Sequence, residues 1–276
     1  MTSFTRLVLA GLAILYPLVS IPAASAGETI RVNGTGSGLM LMKPLLAAFQ
    51  KEHGGVSFSM EKSLGSSASI KATAKNALDL AISGRPLKPA ESAEGLAQQE
   101  YGKIPFAVVT NRKVRVNSLT LNELVAMFAG QTAQWPGGEL VRVVLRPNED
   151  VDSKLLRSLS PEMDRAVTVA QGRKDMLLGM TDNEAFECVK RTEGAVGMLA
   201  LSLPLSEPNA VNVVRMNGVQ PTVANLAAGK YPYAKSLHLI TRREVTPAVA
   251  GFLKFLGSKK GRAMAAKYGL SYTGAK

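Results

Sequence analysis

The 276-residue chain carries 33 Lys and Arg against 21 Asp and Glu, a formal net charge of +12, with 46% hydrophobic but only 5% aromatic residues. Its cations are scattered and its aromatics few, so it offers neither the basic stripe nor the stacking platform of a nucleic-acid binder, and the charge favours encounter with anions in general. Two histidines and a lone cysteine, Cys188, leave no internal disulfide, transition-metal site or cofactor to expect.

The chain starts with a single cation, Arg6, an apolar run from Leu7 to Val19 and then Ala24-Ser25-Ala26, the small-residue pattern of a secretory signal cut after Ala26. Pro17 and Pro22 interrupt the run, which falls short of the ~20 uninterrupted apolar residues of a membrane span. No cysteine follows the cut to carry a lipid. The mature chain of 250 residues, with 32 basic and 21 acidic side chains, is long enough for two modest lobes.

From Glu28 onward, short apolar runs alternate with helical periods. Strands are predicted at Thr29 to Val32, Val56 to Met60 and Leu78 to Ile82. Between them lie a helix with Leu39, Met42, Leu46 and Phe49 on one face and another from Ser67 to Asn76. This series is the signature of a parallel sheet covered by helices. An extended run follows at Ile104 to Thr110, and Thr120-Leu-Asn-Glu123 forms a capping box opening a helix toward Phe128. Further strands are read at Val141 to Leu145, Ala195 to Leu199 and Leu237 to Thr241. The remaining helices are read at Ser153 to Leu159, Glu162 to Ala170, Asp182 to Arg191, Thr222 to Ala228, Phe252 to Leu256 and Gly261 to Tyr268. Both halves are therefore α/β, and with no low-complexity linker between them the lobes are joined by crossing strands.

Two glycine- and serine-rich turns are the candidates to carry the chemistry, the alternatives being a plain tight connection for the first and simple N-capping by the serines of the second. Gly34-Thr35-Gly36-Ser37-Gly38 follows the first strand and opens a helix whose free N–H groups and hydroxyls can cradle an anion. Leu39 stands where a dinucleotide fingerprint needs its third glycine, which argues against a nicotinamide site. Gly65-Ser66-Ser67-Ala68-Ser69 repeats the arrangement after the second strand. Both turns open on the carboxyl edge of one parallel sheet, where ligands of such sheets sit. As an enzyme, the chain would need a base beside a nucleophilic serine. His53 stands at a helix end and His238 in an apolar strand, neither with an orienting acid, so the chain is read as a non-enzyme.

The segments Gly34 to Gly38, Leu64-Gly-Ser-Ser67, Leu80-Ala-Ile-Ser-Gly-Arg-Pro-Leu87, Leu121 to Gly130 with Trp135, Arg146-Pro147 and Gly194-Ala-Val-Gly197 stand in a telling order. With Asn217 to Pro221, Gly229 to Pro232 and Phe252 to Gly261, the chain resembles the periplasmic phosphate-binding protein family of ATP-driven importers along nearly all its mature length. The resemblance implies a two-lobed α/β fold, each lobe a mostly parallel sheet flanked by helices. Lobe 1 would be 27–108 with 238–276, and lobe 2 would be 109–237, with crossings near Ala107–Thr110 and Ser236–Leu239. It implies a periplasmic monomer that captures a small inorganic oxyanion, phosphate above others, for the membrane permease of an ABC importer.

Carried over residue by residue, the binding positions are Ser37, Gly38 and Leu39 from the first turn and Ser66 and Ser67 from the second. Arg146 follows a strand of the other lobe, its planar fork suited to a tetrahedral oxyanion. The alternative for Arg146 is an ion pair with Glu149 or Asp150. Where many relatives carry Ser-Gly-Thr, this chain has Asp150-Val151-Asp152, so hydroxyl donors become carboxylates. An aspartate there can accept a proton from hydrogen phosphate, although several near a dianion repel it unless paired with Arg146 or Arg85. Asp152 is equally read as the cap of the following helix. This replacement supports an alternative function, a signalling or adaptor protein that kept the fold and lost tight phosphate binding.

Overall fold

The computed structural model describes residues 27–274, so the secretory signal read at 1–26 lies outside the described residues. In chain order the elements are β1 (Glu28–Gly34), α1 (Gly36–Glu52), β2 (Val56–Met60), α2 (Gly65–Ala74), β3 (Leu80–Ser83), α3 (Pro89–Ala93), β4 (Leu96–Asn111), β5 (Ser118–Leu119), α4 (Leu121–Phe128), β6 (Arg142–Leu145) and α5 (Val151–Arg157). Then follow α6 (Pro161–Gln171), β7 (Leu177–Leu178), α7 (Asp182–Arg191), β8 (Ala195–Ala200), α8 (Ser202–Ser206), β9 (Val211–Met216), α9 (Val223–Ala227), β10 (Ala234–Arg242), α10 (Pro247–Gly257), α11 (Lys259–Lys267) and β11 (Ser271–Tyr272). No helix of the described residues is long and apolar enough to cross a membrane.

The strands run β2-β1-β3-β10-β4-β8-β6-β7, with β9 and β11 also on β4 and β5 on β9. Parallel pairing joins β1 to β2 and β3, and β6 to β7 and β8. In the middle, β10 and β4 run antiparallel to their neighbours. The sheet is therefore mixed, with a parallel arm on either side of an antiparallel centre.

Strand β4 belongs to both halves. Its residues 96–105 pair with β10, and from Phe106 onward it pairs with β8 and β9. The change falls at Pro105, which has no N–H to give. Phe106 N donates instead to the carbonyl of Tyr233, at 2.9 Å. Because β10 begins at Ala234 and pairs with β3 and the front of β4, the return from the second half precedes it.

Each half buries its own apolar cluster. In the first, Leu41, Met42, Leu45 and Phe49 of α1 pack on Ile30, Ile82 and Phe252. In the second, Phe106, Phe128, Trp135 and Tyr231 lie at the centre. Cys188 is half-buried on α7, beside the cluster around Phe186 and Val189.

The glycines of the first turn serve close packing rather than unusual dihedrals, since none of Gly34, Gly36 and Gly38 has a positive φ. A Cβ on Gly34 would stand 2.1 Å from the carbonyl oxygen of Ile82, and one on Gly38 would stand 2.6 Å from Ile82 Cγ2. Overpacking against a backbone atom of a buried strand has no cheap relief. Gly34→Ala is expected to cost roughly 3 kcal/mol, read as a melting temperature roughly 6–12 °C lower; an unchanged melting temperature would contradict this account.

Candidate functional site

The carboxyl ends of β1, β2 and β3 in the first half face those of β6 and β7 in the second. Between them lies a cleft of about 320 Å³ lined by Thr35, Leu64 to Ala68, Arg146, Asp150, Thr181 and Asp182, among others. Its position is the one at which open α/β sheets bind ligands.

Helix α1 starts at Gly36, three residues earlier than its apolar period indicates, so Ser37 falls in the first turn. Ser37 is fully buried, and its N–H donates to Asp182 Oδ2 at 2.8 Å. Thr35 Oγ1 donates to the same oxygen at 2.6 Å. Lys235 Nζ donates to it at 3.0 Å and to Thr35 Oγ1 at 3.0 Å. Arg146 Nη2 lies 3.3 Å from Asp182 Oδ1. The first-turn amide, a hydroxyl, an ammonium and a guanidinium thus converge on a single carboxylate.

The other sequence-predicted positions are distributed around this point. Gly38 packs under Ile82, and the Leu39 amide donates to the Thr35 carbonyl at 3.0 Å, the first bond of the helix. Ser66 Oγ accepts from Gly84 N at 2.9 Å, which ties α2 to the end of β3. Ser67 Oγ accepts from Arg85 Nη2 at 3.0 Å, while the Arg85 guanidinium forks onto Glu91 with both contacts at 2.8 Å. Arg85 is therefore turned to its own half. Helix α2 opens with Gly65 at φ +78°, whose amide donates to Ser63 Oγ at 3.2 Å, and its first turn, Gly65 to Ala68, lines the cleft.

Arg146 is 7% exposed, donates to the Gly179 carbonyl at 2.6 Å and pairs with Asp150 at 2.8 Å. Of the two surface partners considered for it, Asp150 is the one it meets; Glu149 pairs with Lys154. The reading of Asp152 as a helix cap is corrected. The helix begins two residues earlier, at Val151, and Asp150 caps it by accepting from Asp152 N at 2.9 Å. Released from capping, Asp152 turns inward and is 2% exposed, its Oδ1 2.6 Å from Lys235 Nζ and its Oδ2 without a hydrogen-bond donor.

Three carboxylates and two cations make an unequal cluster, and the imbalance falls on Asp152. Burial, together with Asp182 and Asp150, pushes its pKa up to about 7 against the pull of Lys235. Burial acts the same way on Asp182, but Lys235, Arg146, Ser37 and Thr35 outweigh it and hold that carboxyl well below its ordinary range. For Lys235, burial favours the neutral amine, yet Asp152 and Asp182 raise its pKa above the ordinary value. The acidic oxygens of Asp150, Asp152 and Asp182 lie within 4.8 Å of one another. The Lys235 ammonium already takes the cationic place among them.

Sequence reasoning did not find Lys235 or Asp182. A signal for Lys235 exists in hindsight, for it stands two residues before the buried Leu237 on the same strand, where a core side chain belongs. Asp182 follows Thr181, whose hydroxyl accepts from Glu184 N and caps α7, so its own carboxylate is free to reach out of the helix.

A fold of two α/β halves meeting at an anion-complementary cleft defines a class of binding protein. The chain belongs to the PBP superfamily, whose domain model matches residues 21–260. It is 23% identical to the phosphate-binding protein PstS of Bacillus subtilis over 275 residues, covering 92% of this chain and 89% of that protein. Among solved structures it is similar to a Clostridium perfringens protein described as a phosphate ABC transporter substrate-binding protein with bound phosphate. The TM-score is 0.74 at 21% identity, over 89% of this chain and all of that one. A second is an ABC-type phosphate transport receptor from Vibrio cholerae, with TM-score 0.62, 21% identity, and 88% and 100% coverage. These relatives agree with the resemblance read from the sequence.

Proposed function

We propose that this chain is an exported, non-enzymatic solute-binding protein that captures a small oxyanion, phosphate above others, and delivers it to the permease of an ABC importer. The observation that carries this reading is the convergence of Ser37 N, Thr35 Oγ1, Lys235 Nζ and Arg146 Nη2 on one anionic group at the cleft. Such oriented, dehydrated donors select an anion by shape as well as charge. The phosphate-binding relatives support the choice of anion. Cleavage after Ala26, a periplasmic location and a monomeric state complete the proposal. The lobes are taken as 27–108 with 238–276 and as 109–237; the change of β4 partners at Pro105 supports a division into two, while β10 already enters the first half at Ala234.

A second reading, a signalling or adaptor protein that has lost tight phosphate binding, is favoured by the carboxylates Asp150, Asp152 and Asp182 at the site. Calorimetry and thermal shift of the mature chain with phosphate, arsenate, sulfate, molybdate and tungstate separate the two. Phosphate at a hundredfold excess over its dissociation constant is expected to add ~2.7 kcal/mol, a gain that Arg146→Ala removes. No response to any oxyanion would leave only the second reading.

A further inference from the structure

Asp182 makes contacts that its place in the helix does not call for. It is the first residue of α7, whose cap is Thr181, and every hydrogen bond and ion pair of its carboxylate goes outside that helix. Helix α7 packs on β8, β6 and β7 of the second half and touches α1 of the first, whereas Thr35 joins β1 to α1 and Ser37 lies in the first turn of α1, both in the first half. The first half is shaped to receive it, for a Cβ on Gly36 would stand 2.2 Å from Asn183 Oδ1 and 3.1 Å from Asp182 Cβ. One oxygen of Asp182 accepts from an amide, a hydroxyl and an ammonium at once, as one oxygen of a bound oxyanion would.

Building on the reading of the cleft as an oxyanion site, we propose that Asp182 is a tethered substitute for the ligand. It binds across the halves, holds the free protein shut, and sets which solutes enter by requiring each to displace it. A tethered carboxylate competes at an effective concentration that a dilute solute does not match. The apparent affinity for a free anion then falls in proportion to the fraction of time the cradle is open. The device selects for ligands with more acceptor oxygens than a carboxylate has, since those also reach the serine-rich start of α2, where Ser66 and Ser67 line the cleft.

The test uses the mature protein, Asp182→Ala and the isosteric Asp182→Asn, with small-angle scattering and phosphate calorimetry on each. Expected are a free native protein as compact as the phosphate-loaded one, variants that expand when free and contract with phosphate, and ~tenfold tighter phosphate binding in the variants. Folded variants with unchanged compactness and equal or weaker phosphate affinity would overturn the proposal, making Asp182 a structural contact. Variants that open but bind no oxyanion would uphold the tether while sinking phosphate capture.

Discussion

Replacing Lys235 with methionine is expected to cost about 3–5 kcal/mol, the usual penalty for stripping a buried ion cluster of one partner, and to lower the melting temperature by roughly 6–20 °C. The side chain is 1% exposed and is the counter-charge nearest to Asp152, as well as a principal partner of Asp182. Without it, Asp152 keeps no ion-pair partner within 4.0 Å among the described residues and must take up a proton on folding, while Asp182 keeps Arg146, Thr35 and Ser37. The loss is therefore concentrated on one pair. Lys235→Met combined with Asp152→Asn should recover most of it, because the two changes together remove both charges. Thermal unfolding of the four proteins in this cycle at one pH checks the claim: the gain from Asp152→Asn must be larger in the Lys235→Met background than in the native one, and equal gains would show that the two groups act independently.

The second large effect is in the pH dependence of stability, and Asp152 supplies it. Its pKa is about 7 in the folded chain against an ordinary 3.8 when unfolded. Between these values the folded state holds a proton that the unfolded state has lost. Stability therefore falls as pH rises from about 4 to about 7 and levels off above that. Asp152→Asn removes the titration. It is expected to be nearly neutral at pH 4 and stabilising by up to ~4 kcal/mol at pH 8. Asp182 works in the other direction, because its lowered pKa stabilises the fold above the ordinary carboxylate range and is lost only in acid. Urea unfolding at pH 5 and pH 8 distinguishes the two contributions, and an equal effect of Asp152→Asn at both values would refute the assignment to Asp152.

Elements that announce themselves by local chemistry were legible in the sequence. Val56 to Met60 and Asp182 to Arg191 match their predicted bounds, and the capping box at Thr120 and Glu123 forms as read. The front of β4 was missed because Ala97-Gln-Gln-Glu100 has no apolar run; pairing with β10 makes it a strand. Strand β9 was missed although Val211, Val214 and Met216 are buried. The site divides in the same way. The anion-binding turn and Arg146 could be read from residue type and order, whereas the bond from Asp182 to Ser37 joins residues 145 apart and depends on how the halves meet. A carboxylate that caps nothing and a lysine on a core-facing register are weak local marks, and only the assembled cleft brings them together.

The place of β10 in the sheet bears on how the chain is made. It lies between β3 and β4, pairing with both, so the first half lacks its central strand until Arg242 has left the ribosome. Helices α10 and α11, which cover Phe49 and its neighbours, come later still. The amino-terminal half thus has no finished hydrophobic unit to collapse into during synthesis, and pairings of such long sequence separation form slowly. For a protein exported as proposed above, this order of assembly suits passage of the unfolded polypeptide through a narrow translocation pore, because the first half cannot close before β10, α10 and α11 are made.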